Sequence, residues 1–424
     1  MRKQRCLDFL LKSVWLFLAV ILALPASVNA QVTVGPTHRL TWGAGDLADT
    51  TLNQVTFSGA GPPAVATARS DLNDAITAYT QNPTPEKLTE LQNKLTAYNT
   101  AITAAQGNTL GTITFPDSIP LTATNSTADQ RLYVNTKAAS FDIADGKTLT
   151  IAGNYFTDHG GAVSVAANGL FAVTGNGSII FDNNAASGSS KHGGGIYNYG
   201  TVSFSGPATF TGNTASYGGG IENRGTVSFS GPATFTRNTA SSGGGGIYNR
   251  GTLSFFGPVT FTNNSAPSNG GGIYNRSIVN FFGPATFTGN TAGSGGGIHN
   301  SDNGTVNLMP GKATDRILFS GNTTTANSTP SSIRMSASGT LNVGGLGSVD
   351  MRDPLDGQAW PGVISISKTG AGTWYLGGTN ALTQSGTGIT TFTISDGTLH
   401  LYRAGEVPNP GYADGKVATG TISL

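Results

Sequence analysis

The chain has 424 residues with 61 Gly and only 11% charged residues, whereas ordinary globular chains average about 7% Gly and about 25% charged residues. A net charge of +1 excludes a strongly basic nucleic-acid surface, so no nucleic-acid partner is expected. A hydrophobic fraction of 37% with 20 Phe excludes a disordered chain, which combines low hydrophobicity with high net charge.

At the N-terminus, Arg2, Lys3, Arg5 and Lys12 precede an apolar run from Val14 to Leu24, then Pro25 and the small-residue site Val28-Asn29-Ala30. This order predicts a secretory signal peptide over 1–30, cleaved after Ala30. The run is too short for a retained anchor, which needs about 20 apolar residues. Cleavage removes the only cysteine, Cys6, and leaves 19 basic and 21 acidic residues. No disulfide, thiol nucleophile or Cys-based metal site is then available.

A β segment is expected over 31–63, followed by a helical pattern over 64–107. Leu72, Ile76 and Tyr79 recur at helical spacing, as do Leu88, Leu91, Leu95 and Tyr98 after Pro83 and Pro85. Thr84 before Pro85 is placed as an N-cap. This α-hairpin is expected to sit on the N-terminal side of the β structure and cap its open end. A partner-binding helix pair is the alternative.

Over 108–345, with a core at 193–300, internal repetition dominates. The tetrad GGGI ends at Ile196, Ile221, Ile247, Ile273 and Ile298, separated by 25, 26, 26 and 25 residues. Phe-x-x-Asn begins at Phe210, Phe235, Phe261 and Phe287 in step with it. Each unit offers three short strand-like runs, such as GIEN, TVSFS and ATFT, bounded by turn formers. Near-constant unit length predicts an all-β chain, a right-handed parallel β-helix (β-solenoid) with an N-terminal α-hairpin insertion. At about 25 residues per coil it holds at most about 14 coils, a stack of roughly 65 Å.

Stacking gives each column a meaning. Phe204, Phe229, Phe255 and Phe281 form one expected inward ladder, and Phe210, Phe235, Phe261 and Phe287 another. Asn223, Asn249 and Asn275, with Asn213, Asn238, Asn264 and Asn290, are expected at turns, their amides bonding along the stack. Ser203, Ser228, Ser254 and Asn280 alternate with the apolar positions and are expected to face water.

The paired GGGI and Phe-x-x-Asn motifs resemble the GGA[ILV] and FxxN repeats of the polymorphic outer-membrane proteins, a group of autotransporter passengers and adhesins. The resemblance runs from about Gly160 to Asn322, with Gly in place of Ala in most copies. Over 346–424 a second resemblance appears. ISKTGAGTWYLGGTN from Ile366, with the later Gly397-Thr398-Leu399, is similar to the passenger-associated repeat of autotransporters. The resemblances imply export to the outer-membrane surface or beyond, a host-cell, matrix or glycan ligand, and a translocator β-barrel. That barrel is absent from these 424 residues. A longer gene product, a truncated gene and a separate export route all remain open.

The residues offer little chemistry. From Gly193 to Asn300 the only acidic residue is Glu222, with Asp182 just before, no His-x-x-x-His or Gly-x-Ser-x-Gly occurs, and no cofactor or metal is expected. Arg224, Arg250 and Arg276 align beside Tyr248 and Tyr274, an expected exposed stripe suited to glycans or acidic surfaces. Stacked like charges would repel, so something is expected to compensate them. Paired Thr columns, from Thr209 and Thr211 to Thr286 and Thr288, are similar to ice-binding surfaces of β-solenoid antifreeze proteins. The expected function is a non-enzymatic surface adhesin. A β-helical carbohydrate-active enzyme using Asp350, Asp353 and Asp356 is the alternative, with ice binding behind it.

Overall fold

The computed structural model describes residues 62–106, 110–122, 391–401 and 132–377, the last with breaks at 136, 157, 189, 326–327, 337 and 360–363. It also describes short strands at 32–34, 39–41, 55–57, 380–384 and 422–423. The expected signal peptide, 1–30, lies outside these residues.

Four parallel sheets of eleven, twelve, eleven and seven strands run along the molecule. One coil shows how they arise: Ile196–Asn198, Thr201–Phe204, Ala208–Thr211 and Thr214–Tyr217 each join a different sheet. The next coil repeats them in register, with Ile196 opposite Ile221, Phe204 opposite Phe229 and Phe210 opposite Phe235. A single coil cannot bury its own apolar face, so pairing with its neighbours is what forms the core. The GGGI and TVSF runs set that pairing because each copy repeats at almost constant spacing.

The Phe ladders are stacked rings. Phe181, Phe210, Phe235, Phe261, Phe287 and Phe319 follow one another at 4.6–4.8 Å. Phe204, Phe229, Phe255 and Phe281 form the second stack at 4.8–5.2 Å. The stacks meet edge to face, as at Phe229 and Phe235. All these side chains are buried, each contributing about 1.5–3 kcal/mol of apolar burial.

The Asn side chains are buried and their amides bond along the stack. In Asn154, Asn184, Asn213, Asn238, Asn264, Asn290 and Asn322, each side-chain amide donates to the carbonyl oxygen of the next at 2.8–3.0 Å. Each amide from Asn213 onward also donates to a Phe backbone carbonyl on the other side, as Asn238 does to Phe210. The Phe-x-x-Asn motif thus couples a ring stack to an amide chain. A second chain joins Asn198, Asn223, Asn249, Asn275 and Asn300 at 2.7–2.8 Å.

Three expectations are corrected. The coil has four strands, the fourth being Thr214–Tyr217 and its copies Thr239–Gly243, Ser265–Asn269 and Thr291–Ser294. These runs carry one buried Ala each and no alternating pattern, so β-propensity overlooks them; neighbouring backbone holds them, as Thr239 N–H donates to Asn213 O.

The second correction concerns the α-hairpin, α1 (Pro63–Gln81) and α2 (Pro85–Ala105). Thr84 does cap α2, accepting from Lys87 N–H. The hairpin does not close an end of the solenoid but lies along its flank, over the second sheet. Leu88 lies against Gly311, the Tyr98 hydroxyl bonds Ser203, and Gln106 Nε2 donates to Ser140 Oγ at 2.6 Å. Leu72, Tyr79, Leu91 and Ile102 bury themselves against Leu170, Ala172, Phe282 and Met309. The third follows: Ser203, Ser228, Ser254 and Asn280 do not face water, because the hairpin covers them.

In the C-terminal repeat, Lys368 is buried and its Nζ donates to Thr369 O, Gly370 O and Asp396 O at 2.9, 2.8 and 3.2 Å. Burial depresses its pKa. The lysine ties two successive turns together, which is what its position in the repeat accomplishes.

Candidate functional site

The expected Tyr column exists in register: Tyr197, Glu222, Tyr248, Tyr274 and His299 lie opposite one another. It is not an exposed face. Tyr248 is 2% and Tyr197 8% exposed, and only Tyr274 is half-buried. The cause is a continuous spine in which His159, His192, Tyr217, Tyr248, Tyr274 and His299 contact at 4.9–5.2 Å. The fourth strand flanks it, so closely that a Cβ on Gly243 would lie 2.8 Å from Tyr274.

Compensation of the stacked arginines takes a definite form. Arg224 Nε donates to Glu222 Oε1 at 2.6 Å and its Nη1 to Tyr199 Oη at 2.7 Å. Arg276 pairs with Asp302 and donates to Tyr248 Oη at 3.0 Å. Arg250, between them, is exposed, and no ion pair given by the described residues includes it. The stripe therefore presents one free guanidinium flanked by two that are tied down.

Glu222 was legible only as the odd residue in a Tyr column. It is fully buried, and its second oxygen meets His192 Nδ1. Tyr217 fills the stack at that level, so the spine stays unbroken where the Tyr of the column is missing. Burial, helped by the neighbouring His192, holds the His159 imidazole below its usual range. Among the described residues no group of three such side chains is placed to hold a metal ion.

His299, at the other end of the spine, bridges Ser294 Oγ and Ser336 Oγ at 3.0 Å each. Burial, with Arg334 nearby, lowers its pKa to about 4. The unfolded chain takes up that proton below about pH 6.5, so His299 costs stability as pH falls from there toward 4 and nothing above it. Urea unfolding at about pH 7 and about pH 4.5 should show a smaller acid loss for His299→Gln than for the native chain.

Two of the three carboxylates of the enzyme alternative, Asp350 and Asp353, are engaged in structural bonds. Asp353 accepts Gly321 N–H, Asn322 N–H and Asn322 Nδ2–H at 2.8, 2.8 and 2.9 Å, ending the long amide ladder. Asp350 is buried against Arg316 and Arg352. The Asp356 side chain lies outside the described residues. Neither Asp350 nor Asp353 is open to a substrate, and hydrolysis by paired carboxylates needs both in reach of one bond.

The Thr columns pair in register over four coils, with Thr209, Thr234, Thr260 and Thr286 in one and Thr211, Thr236, Thr262 and Thr288 in the other. Ile180 and Asp182 bound them on one side and Leu318 and Ser320 on the other. The grid is therefore about 14 Å tall along the stack.

The Chlamydia polymorphic membrane protein repeat matches residues 178–199, 207–224, 232–250, 258–276 and 284–301. Each match spans the third, fourth and first strands of a coil and leaves out the second, the strand under the α-hairpin. No curated protein and no solved structure matches the chain. Residues 178–301 thus carry five matches to the Chlamydia polymorphic membrane protein repeat, wound as a parallel β-solenoid, and this likeness supports a surface-exposed, autotransporter-like passenger.

Proposed function

We propose that the chain is an exported, non-enzymatic adhesin that binds a host-cell, matrix or glycan ligand along its arginine flank. The observation that carries this reading is Arg250, an exposed guanidinium held between two neighbours whose charges are already matched. Arginine in such a setting recognises carboxylates, sulfates or aromatic faces through a preformed fork. The buried Tyr248 and half-buried Tyr274 serve as the rigid backing of the stripe rather than as its contact surface. The enzyme alternative loses its support, because its described carboxylates are consumed by ladder and ion-pair bonds.

The test is attachment of beads coated with the purified chain to cultured cells. Arg250→Ala is expected to cut attachment about tenfold, the loss of one well-placed arginine contact. Arg276→Ala should cost less, since that side chain is committed to Asp302 and Tyr248. Attachment unchanged by both substitutions together would sink the reading.

A further inference from the structure

We propose that the cleft between α1 and the solenoid is a binding site for an acidic saccharide, with Arg69 holding its carboxylate. The cleft has a volume of about 460 Å³, within the range of small-ligand sites. It opens where α1 leans over the turn that joins the first and second strands of the coils. Arg69, Asn73, Asn168 and Tyr199 line it, and among the described residues Arg69 is the only charged one of the lining. One guanidinium N–H is taken by Thr201 Oγ1, which fixes the fork and leaves most of its donors for a ligand.

Three further features fit a sugar. Tyr199 is 40% exposed, and the Arg224 guanidinium sits 5.1 Å from its ring centroid and bonds its hydroxyl, so the ring is a braced platform for a pyranose face. Asn73 and Asn168 are exposed amides that offer both donors and acceptors to hydroxyls. The floor is bare backbone at Gly169, Gly200 and Gly225, where a Cβ on Gly200 would lie 2.3 Å from Gly169 O. A multiply phosphorylated ligand would call for several cations, and the lining supplies one.

This site deepens the ligand-binding reading but stands on other residues, so the two can fail separately. Isothermal titration of the purified chain with digalacturonate and with the neutral galactose disaccharide reads it directly. The acidic sugar should bind about tenfold or more tightly than the neutral one. Arg69→Gln should abolish that preference, Arg69→Lys should keep part of it, and Arg250→Ala should leave it unchanged. Arg69 also ties α1 to Thr201, so Tyr199→Ala, which spares that tie, should weaken both sugars while the chain keeps its native circular dichroism, the lost contacts to Arg224 and Tyr197 lowering the unfolding midpoint by a few degrees at most. Equal affinity for the two sugars, or no heat with either, overturns the proposal, whatever the attachment assay gives for Arg250.

Discussion

Replacing Asn238 by Ala should lower stability by about 3–5 kcal/mol, from two or more buried polar groups left without partners at about 1–3 kcal/mol each. Asn238 accepts both the backbone N–H and the side-chain amide of Asn213, and donates to Phe210 O and Asn264 Oδ1. All of these atoms are buried beside the Phe stack, where water cannot replace the lost partner. Asn238→Asp should do no better. It keeps the acceptor, loses both donations and buries a charge that no cation faces. At the end of the ladder the demand differs, because Asp353 is met only by donors. Asp353→Asn keeps one acceptor oxygen for Asn322 but turns its NH2 toward Gly321 N–H, donor against donor, so it should cost about 1–3 kcal/mol, the loss of one acceptor rather than of several partners. Urea midpoints for the three variants check this order, and equal losses at positions 238 and 353 would refute the cumulative ladder.

A comparable loss is expected for Gly219→Ala, and a much smaller one for Gly220→Ala. A Cβ on Gly219 would lie 2.5 Å from Gly245 O, 2.6 Å from Thr239 O and 2.8 Å from Thr239 N, all backbone atoms of the next coil. Backbone in a ladder cannot step aside without breaking its own bonds, so the cost is about 3 kcal/mol or more. On Gly220 the Cβ would meet Gly246 O at 2.7 Å and the Phe235 ring edge at 3.1 Å. One backbone oxygen rather than three backbone atoms must give way there, at a smaller cost of about 1–2 kcal/mol. The chain already holds the comparison, since Ala162 occupies the same motif position with its methyl fully buried. Thermal unfolding should place the midpoint of Gly219→Ala a few degrees below that of Gly220→Ala; a reversed order would place the close approach elsewhere.

Much of the fold could be read from spacing alone. The Phe columns and the parallel register follow from copies of fixed length, because a ladder forces residue i to sit on its equivalent one coil away. The fourth strand escaped that reading, since Thr-Ala-Ser-Tyr has no alternation of apolar and polar residues, and what holds it, backbone bonds and the Tyr217 ring in the spine, lies in other coils. The hairpin's helices were plain in the periodicity of Leu88, Leu91 and Tyr98, but their docking face was not. Small polar residues such as Ser203 and Ser228 read as solvent-facing whether water or a helix lies over them. The candidate site was legible as an alignment of Arg224, Arg250 and Arg276. Its charge balance was not, because Glu222 and His192 are 30 positions apart in sequence and Asp302 falls outside the repeat columns.

The hairpin also sets a gauge. The 21 residues of α2 span about 31 Å, and the six steps from the strand at Ala138–Ile143 to that at Thr305–Leu308 span about 29 Å. Solenoids ordinarily gain or lose whole coils with little penalty, since each contacts only its neighbours. Here every coil between Ser140 and Gly311 is measured against a helix pair of fixed length. Adding one coil would call for about three more residues in each helix to keep Gln106 on Ser140 and Leu88 on Gly311. Gain or loss of a coil along this stretch thus has to be matched in the helices, whereas coils beyond the hairpin's reach carry no such constraint.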